Sequence, residues 1–526
     1  MKKDDGLLTG QNKVVIGLLL AVVWGVSLAG CSTPDDKLEL LPTLAPTQEA
    51  DLVLPEASTD GAPFSDISVH AAAMRPGYEG DLDAFAGATR YWLDADISSP
   101  PYSIVGHENV RYVNASADTL DEVVFRLYPN FLAGQEVLLV SDVAVDGSPA
   151  EPVYGVNRTV MAVPLPQPLP PGGTAEVSFA FGLTVARDEV TDTYGRLGDL
   201  MDVLSLPSFF PLLSVYDAER GGWWRERPSL QGDPVYSESA LFEVHLTVPS
   251  EVVVVTVGQT LSQSDNGDGT TDYHVVTGPV RDFAVYLSQD YELLSGSQDG
   301  VMVNVFSLPG EEDDDAFALR ATQQALEAFN REFGEYPFAE LDVVETGTLA
   351  GGIEYPGLFV VANGVWDQEN PFFEMVIAHE AAHQWWYSLV GNDQVGQPWL
   401  DESMAQYAVE VYLREAVGPS FAQGTEAYYS GSVESYLEDG GEDMPVGLPV
   451  SAYSSQTYQL FVYLKGPLFF DLLEETYGQE AMSEFLHTYF DTYKYGVATT
   501  AGLQRTAEEV FGDDLDPLFA EWVTAE

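Results

Sequence analysis

The sequence predicts a multidomain protein: an all-β saddle or sandwich domain followed by a mostly helical α/β domain. Three observations carry this. The chain has 526 residues, more than one hydrophobic core accommodates. From about residue 76 to 296, apolar residues alternate with period two and turn signals recur at short intervals. After about residue 300 the apolar period becomes that of helices.

The first element is not part of either domain. Lys2, Lys3 and Lys13 precede the apolar run "VVIGLLLAVVWGVSLAG", which ends at Cys31, the one cysteine of the chain. A lone thiol excludes an intrachain disulfide. The run is short for a membrane span, and "LAGC" (Leu28 to Cys31) resembles the bacterial lipobox. That resemblance implies a signal peptide over residues 1–31, a lipidated Cys31, and an exported protein tethered to a cell membrane or outer membrane. Acyl chains bury methylenes at about 0.8 kcal/mol each, so such an anchor is stable. Residues 32–75 are rich in Pro, Ser, Thr and acids and have no sustained period. They read as a flexible tether.

In the β region (76–296), "AEVSFAFGLTV" places Val177, Phe179, Phe181, Leu183 and Val185 on one face. "FEVHLTV" does the same with Phe242, Val244, Leu246 and Val248. "EVVVVTV" reads as a more buried strand. "SDNGDGTTD" lacks the ligand spacing and closing glutamate of a calcium loop, and reads as a hairpin turn. His245 falls on the polar face of its strand and His274 in a hairpin arm, so both read as structural or surface residues.

In the helical region (297–526), "EEDDDAFALRATQQALEAFNREF" opens with acids, where the helix dipole favours negative charge. Over the whole chain, 83 acids stand against 21 Lys and Arg, a formal net charge of −62. Such a surface repels nucleic acid and argues against a nucleic-acid-binding role.

"ENPFFEMVIAHEAAHQWWYSLVGND" carries helix punctuation: Asn370 can cap, Pro371 suits the first turn, and Gly391-Asn392 can end the helix. Within it, His379 and His383 lie one turn apart on one face, so their imidazoles can converge on one ion. Glu380, about 100° away, can flank that ion without binding it. This is the H-E-x-x-H zincin motif. Eighteen residues later, Glu402 stands in "WLDESMAQYAVEVYL", which reads as a second helix with Met404, Ala405 and Ala408 packed inward. A helix pair brings Glu402 to the same ion. Two histidines, a glutamate and a water make a hydrolytic zinc site, with one zinc per chain.

His379-Glu380-x-x-His383 and Glu402 at this spacing resemble the aminopeptidase N family of gluzincin metallopeptidases. Three further segments agree in order. "GGIEYPG" (351–357) resembles the family's G-A-M-E-N signature, "VYLKGPLFF" (462–470) its Y-x-K-G segment, and "YKYGVATTAGL" and "LFAEWV" the end of its catalytic domain. "ENVRYVNASADTLDEVVFRLYPN" and "VRDFAVYLSQDYE" resemble its N-terminal β-domain. The resemblance implies a thermolysin-like catalytic domain over 297–526 and peptide substrates. It implies Glu380 as general base, Tyr463 as oxyanion donor, and Glu354, with Gly351 and Gly352, as the substrate-binding segment that receives a free α-amine. Tyr355 stands where the family has asparagine. "LPSFFPLLSVYD" offers no convincing glutamine or glutamate for the amine, and the chain is expected to lack the large helical C-terminal domain of longer members. These departures keep open a zinc endopeptidase on the same site. A non-catalytic peptide-binding scaffold is the third reading. Neither oligomeric state nor preferred first residue is legible.

Overall fold

The computed structural model describes Leu54, Phe64, residues 66–310 and residues 312–524. The expected signal peptide, Cys31 and most of the expected tether lie outside the described residues. The last part of that tether is folded, which differs from the expectation. Ser68–Ala73 forms a 3₁₀ turn with His70 and Ala73 buried. Backbone bonds then join Ala73 to Ala339 and Arg75 to Pro337. The apolar residues Ala73 and Met74 gave too short a pattern to reveal this.

The N-terminal half is built on an eight-stranded sheet. Its order is Gln259–Asp265, Thr270–Val276, Leu241–Pro249, Arg90–Ile97, Tyr102–Val113, Thr174–Val185, Leu138–Val145 and Ser148–Pro149. Alternation decides its two faces. Val177, Phe179, Phe181, Leu183 and Val185 are all buried, as are Phe242, Val244, Leu246 and Val248. The strand at Val253–Thr256 is only half-buried at its start. "SDNGDGTTD" is the hairpin between Gln259–Asp265 and Thr270–Val276. Two four-stranded sheets and a two-stranded ribbon, Tyr216–Asp217 with Gly222–Trp223, complete the β-domain among the described residues. Phe125, on one of them, meets Phe179 of the large sheet edge to face at 5.3 Å, so the sheets share one core.

The C-terminal half begins earlier than residue 297. Glu292–Gln298 is already an edge strand of a five-stranded sheet, paired antiparallel with Val301–Ser307. Glu340–Thr346 and Leu358–Ala362 follow in parallel, and Gly352–Tyr355 closes the other edge. The helix Glu312–Glu332 opens with four acids. Two of them also hold the chain ahead of the next helix: Asp315 accepts from the Trp366 indole at 3.1 Å and Asp314 from the Gln368 amide at 3.0 Å.

The next helix is Pro371–Ala382. Asn370 caps it through a bond from the Phe372 amide, and Pro371 occupies its first turn. It ends at Ala382, not near Gly391 as the sequence suggested. The chain continues through tight turns, with Trp385 and Trp386 buried and Tyr387 at a φ of 125°. The Trp385 indole donates to the Gly334 carbonyl at 2.7 Å, and the aromatic contacts with Phe333 replace the missing helical turns. Gly391 instead pairs with Val497 in an isolated bridge. The helix Trp399–Tyr412 packs beside Pro371–Ala382 and is buried on every side, which makes it a core helix.

Arg281 joins the two halves. Its guanidinium is fully buried and donates to three carbonyls: Ser388 at 3.1 Å, Ser237 at 3.0 Å and Gly496 at 2.9 Å. Arg281→Met would keep the volume and leave the Ser237 and Ser388 carbonyls unpaired, each costing about 1–3 kcal/mol, while the Gly496 carbonyl keeps its bond from the Gly391 amide. The expected outcome is a loss of about 2 kcal/mol or more, read as a lower urea midpoint. An unchanged midpoint would show that the packing, not the guanidinium, holds the halves together.

Candidate metal centre

The two neighbouring helices bring three donors to one point. His379 Nε2 and His383 Nε2 are 3.2 Å apart. Glu402 Oε2 lies 3.3 Å from the first and 3.5 Å from the second. All three residues are buried. His383, the cap residue just beyond Ala382, keeps right-handed helical backbone angles, so the four-residue spacing of the imidazoles survives the early helix end. His383 Nδ1 donates to the Trp386 carbonyl at 2.9 Å, which leaves Nε2 as the lone-pair nitrogen. Glu402 sits in the first turn of its helix, where the dipole favours an anion.

Donors at tetrahedral corners about 2.0–2.1 Å from a zinc ion lie about 3.3 Å from one another. The three measured edges match, so these residues fit zinc. Burial pushes the Glu402 carboxyl up, but hydrogen bonds and charge from both imidazoles outweigh it and hold the carboxyl far below its usual range. Burial disfavours a charged His383, but the carboxylates of Glu354, Glu402 and Glu380 outweigh it and raise its pKa. The surrounding carboxylates thus favour a positive charge at this point.

The other residues expected at the site gather around this triangle. Glu380, Glu354, Gly352 and Tyr463 line the same cavity, whereas Gly351 is not part of its wall. Burial raises Glu380 well above the carboxylate range, and its Oε2 has no hydrogen-bond partner among the described residues. Gly352 is required by close approach: a Cβ there would lie 2.4 Å from Glu380 Oε1. Glu354 is on the edge strand Gly352–Tyr355, and its Oε1 accepts from Gln394 Nε2 at 2.9 Å. Tyr355, the departure in the signature, packs against Tyr286, and its carbonyl accepts from Gln384 Nε2 at 3.0 Å. Its side chain is therefore part of the packing behind the site.

Tyr463 lies in a π-helical turn, Gln459–Lys465, a distortion often found at functional sites. Its hydroxyl donates to Glu402 Oε1 at 2.5 Å. The adjoining residues explain the Y-L-K-G run. Lys465 pairs with Asp443 at 2.6 Å and fixes the acidic loop. Gly466 lets the helix of Glu402 approach, because a Cβ would lie 1.9 Å from Ser403 Oγ.

Sequence reasoning missed Asp233, Arg196 and Gln394. Asp233 and Arg196 come from loops of the β-domain and line the cavity beside Glu354. Arg196 Nη2 bonds Asp233 Oδ1 at 3.0 Å and the Gly232 carbonyl at 2.8 Å. The β-domain therefore does supply an acid to the site, from "LQGDPVY" and not from "LPSFFPLLSVYD". No local pattern marks an isolated loop aspartate.

Residues 317–522 match the peptidase family M1 domain. Aminopeptidase M1-B of Oryza sativa subsp. japonica is 25% identical over 307 residues, covering 55% of this chain and 35% of that protein. Probable aminopeptidase 1 of Sulfurisphaera tokodaii is 22% identical over 301 residues, covering 54% and 38%. The chain thus spans little more than a third of the length of these curated relatives. The crystal structure of M1 zinc metallopeptidase from Deinococcus radiodurans aligns with a TM-score of 0.62 at 18% identity, covering 84% of this chain and 94% of that one. A mutant of that enzyme bound to a Tyr-Ser-Ala substrate aligns with a TM-score of 0.61 at 18% identity, covering 84% and 95%. The fold is thus that of the two-domain M1 metallopeptidases.

The contact at Gly352 separates metal binding from the carboxylate beside it. Gly352→Ala should retain zinc, measured by elemental analysis after gel filtration, because no donor of the triangle is touched. The same variant should displace the Glu380 carboxylate in a crystal structure. Loss of the metal from this variant would show that the strand supports the ligands directly.

Proposed function

We propose that this chain, a member of peptidase family M1 through residues 317–522, is a zinc aminopeptidase that releases single residues from the free N-termini of peptides. The observation that carries the reading is charge balance in the cavity. Its wall holds four carboxylates (Asp233, Glu354, Glu380, Glu402) and one guanidinium, Arg196. With all of these ionised and the imidazoles neutral, three negative charges are in excess, and a divalent ion leaves one. A substrate α-ammonium beside Glu354 and Asp233 removes the last, whereas a blocked terminus leaves buried anions uncompensated.

Bound zinc supplies Lewis-acid chemistry, a polarised carbonyl and a water acidified towards a pKa of about 7. His379, His383 and Glu402 would hold it. Glu380 Oε2 takes the proton of the attacking water and returns it to the leaving nitrogen. The Tyr463 hydroxyl is kept protonated, because burial and then the Glu402 carboxylate raise its pKa far above the ordinary value. It donates to the oxyanion on leaving Glu402 Oε1, a donation of the kind worth about 2.7–4 kcal/mol. Glu354 and Asp233 accept from the α-ammonium, which sets cleavage after the first residue.

The anchor belongs to the same reading. Cys31 closes "LAGC" in a chain with no other thiol. Lipidation there would tether an exported enzyme outside the cytoplasm. No helix of the described residues is long and apolar enough to cross a membrane. Cys31→Ala should abolish labelling by a fatty-acid probe and move protein out of the membrane fraction, and persistent labelling would rule the anchor out.

Hydrolysis of matched free and N-acetylated peptides tests the activity. Free peptides should lose single N-terminal residues, and acetylated ones should be nearly inert. Glu354→Ala should lower kcat/KM for free peptides far more than for blocked ones. Internal cleavage of acetylated peptides at comparable rates, unaffected by Glu354→Ala, would establish an endopeptidase. Glu380→Gln should keep one zinc per chain and lower kcat by about 10²–10⁴-fold. A fully active Glu380→Gln would remove the proton-transfer role.

A further inference from the structure

The chain has seven histidines, and three of them fall in one row across the large β-sheet, far in sequence from the metal centre. The register pairs His107 with Asp94, Asp94 with His245, and His245 with His274. This is the face opposite the apolar one, and its residues are half-buried. Glu243 precedes His245 by two residues and shares its face. Glu243, His245 and His274 can each direct one ligand atom so that all three lie within 4.8 Å of one another.

The row is incompletely satisfied. His274 Nε2 and Glu243 Oε1 are 2.8 Å apart, so one pair shares a proton. His245 Nε2 is buried and has no hydrogen-bond partner among the described residues. Its ring stacks on His274 at 4.3 Å and lies 4.7 Å from the ring of Trp92. A desolvated imidazole nitrogen without a partner is costly. A proton between Glu243 and His274 does not help it, whereas a cation shared by all three side chains satisfies every donor.

From this geometry we infer a second metal site on the β-domain, formed by His245, His274 and Glu243 and taking a borderline divalent transition metal such as zinc, nickel or copper. Two imidazoles and one carboxylate select that class over calcium or magnesium, which prefer oxygen donors. Donors around such an ion are about 3.3 Å apart, so the 2.8 Å Glu243–His274 contact must widen by about half an ångström. Side-chain rotation on a half-exposed sheet face accommodates that. Water completes the coordination. Because Leu241–Pro249 contributes two ligands and Thr270–Val276 the third, the ion clips neighbouring strands together. The inference does not depend on the peptidase reading.

The full chain, as purified with its catalytic metal, is equilibrated with excess zinc chloride, freed of unbound metal by gel filtration and analysed for zinc. Wild type should hold one zinc per chain more than His245→Ala/His274→Ala, with equal rates of peptide hydrolysis. Nickel chloride should quench part of the tryptophan fluorescence of wild type. Trp92→Phe should lose that quenching while keeping the extra metal. Glu243→Gln, which retains both imidazoles and the side-chain shape, guards against misfolding of the double variant and should bind nickel at least about tenfold more weakly. Equal zinc content in wild type and double variant would overturn the site, as would nickel affinity unchanged by Glu243→Gln.

Discussion

The candidate metal centre depends on answering the charge of four carboxylates gathered in one cavity. Glu354, Glu380 and Glu402 are buried and Asp233 half-buried within it. Burial of an isolated carboxylate costs many kcal/mol unless charge or hydrogen bonds answer it. The answers come from different parts of the chain: two imidazoles from one helix, a guanidinium from a β-domain loop, and an amide from Gln394. None of these is near Glu402 in sequence except His383 and Gln394. The fold is therefore needed to make the acids tolerable, and the two domains must meet for the Arg196–Asp233 pair to line the cavity beside Glu354.

This explains why the β-domain is more than a support. Its large sheet is an ordinary alternating structure, with one apolar face in the core. Its loops, however, reach the active cavity, and Arg281 bonds backbone carbonyls on both sides of the junction. On the proposed reading a rigid junction matters, because an amine-binding acid is useful only at a fixed distance from the metal. Glu354 is held from the C-terminal half by Gln394, and Asp233 from the N-terminal half by Arg196. Relative motion of the halves would change the spacing between these two acids.

The sequence made legible what depends on local periodicity. The strands around Val177 and Phe242, the helix over Glu312–Glu332, the cap at Asn370 and the four-residue histidine spacing all read correctly, because each follows from neighbouring residues. What it hid depends on distant contacts. The metal helix stops at Ala382 because Trp385 and Trp386 find partners in Phe333 and Gly334, which no local pattern signals. The C-terminal sheet recruits Glu292–Gln298, since strand pairing and not composition sets a domain edge. Asp233, Arg196 and Gln394 act through positions that only tertiary structure creates. His245 and His274 read as unremarkable in sequence because cross-strand register, not spacing, places them face to face.

The two oxygens of Glu402 show how closely these constraints are joined. Oε2 faces both imidazoles, and Oε1 accepts from Tyr463. One carboxylate is thus divided between the metal donors and the hydroxyl that can serve a substrate. The π-helical turn sets this division. It adds a residue to the helical turn that carries Tyr463 and re-aims the side chains around it. Gly466, at the end of that turn, lets Ser403 come close enough to donate to the Val462 carbonyl at 2.6 Å. That bond fixes the helix of Glu402 against the turn of Tyr463. The tyrosine is consequently positioned by the same contact that positions Glu402, so the hydroxyl and the carboxylate share one support.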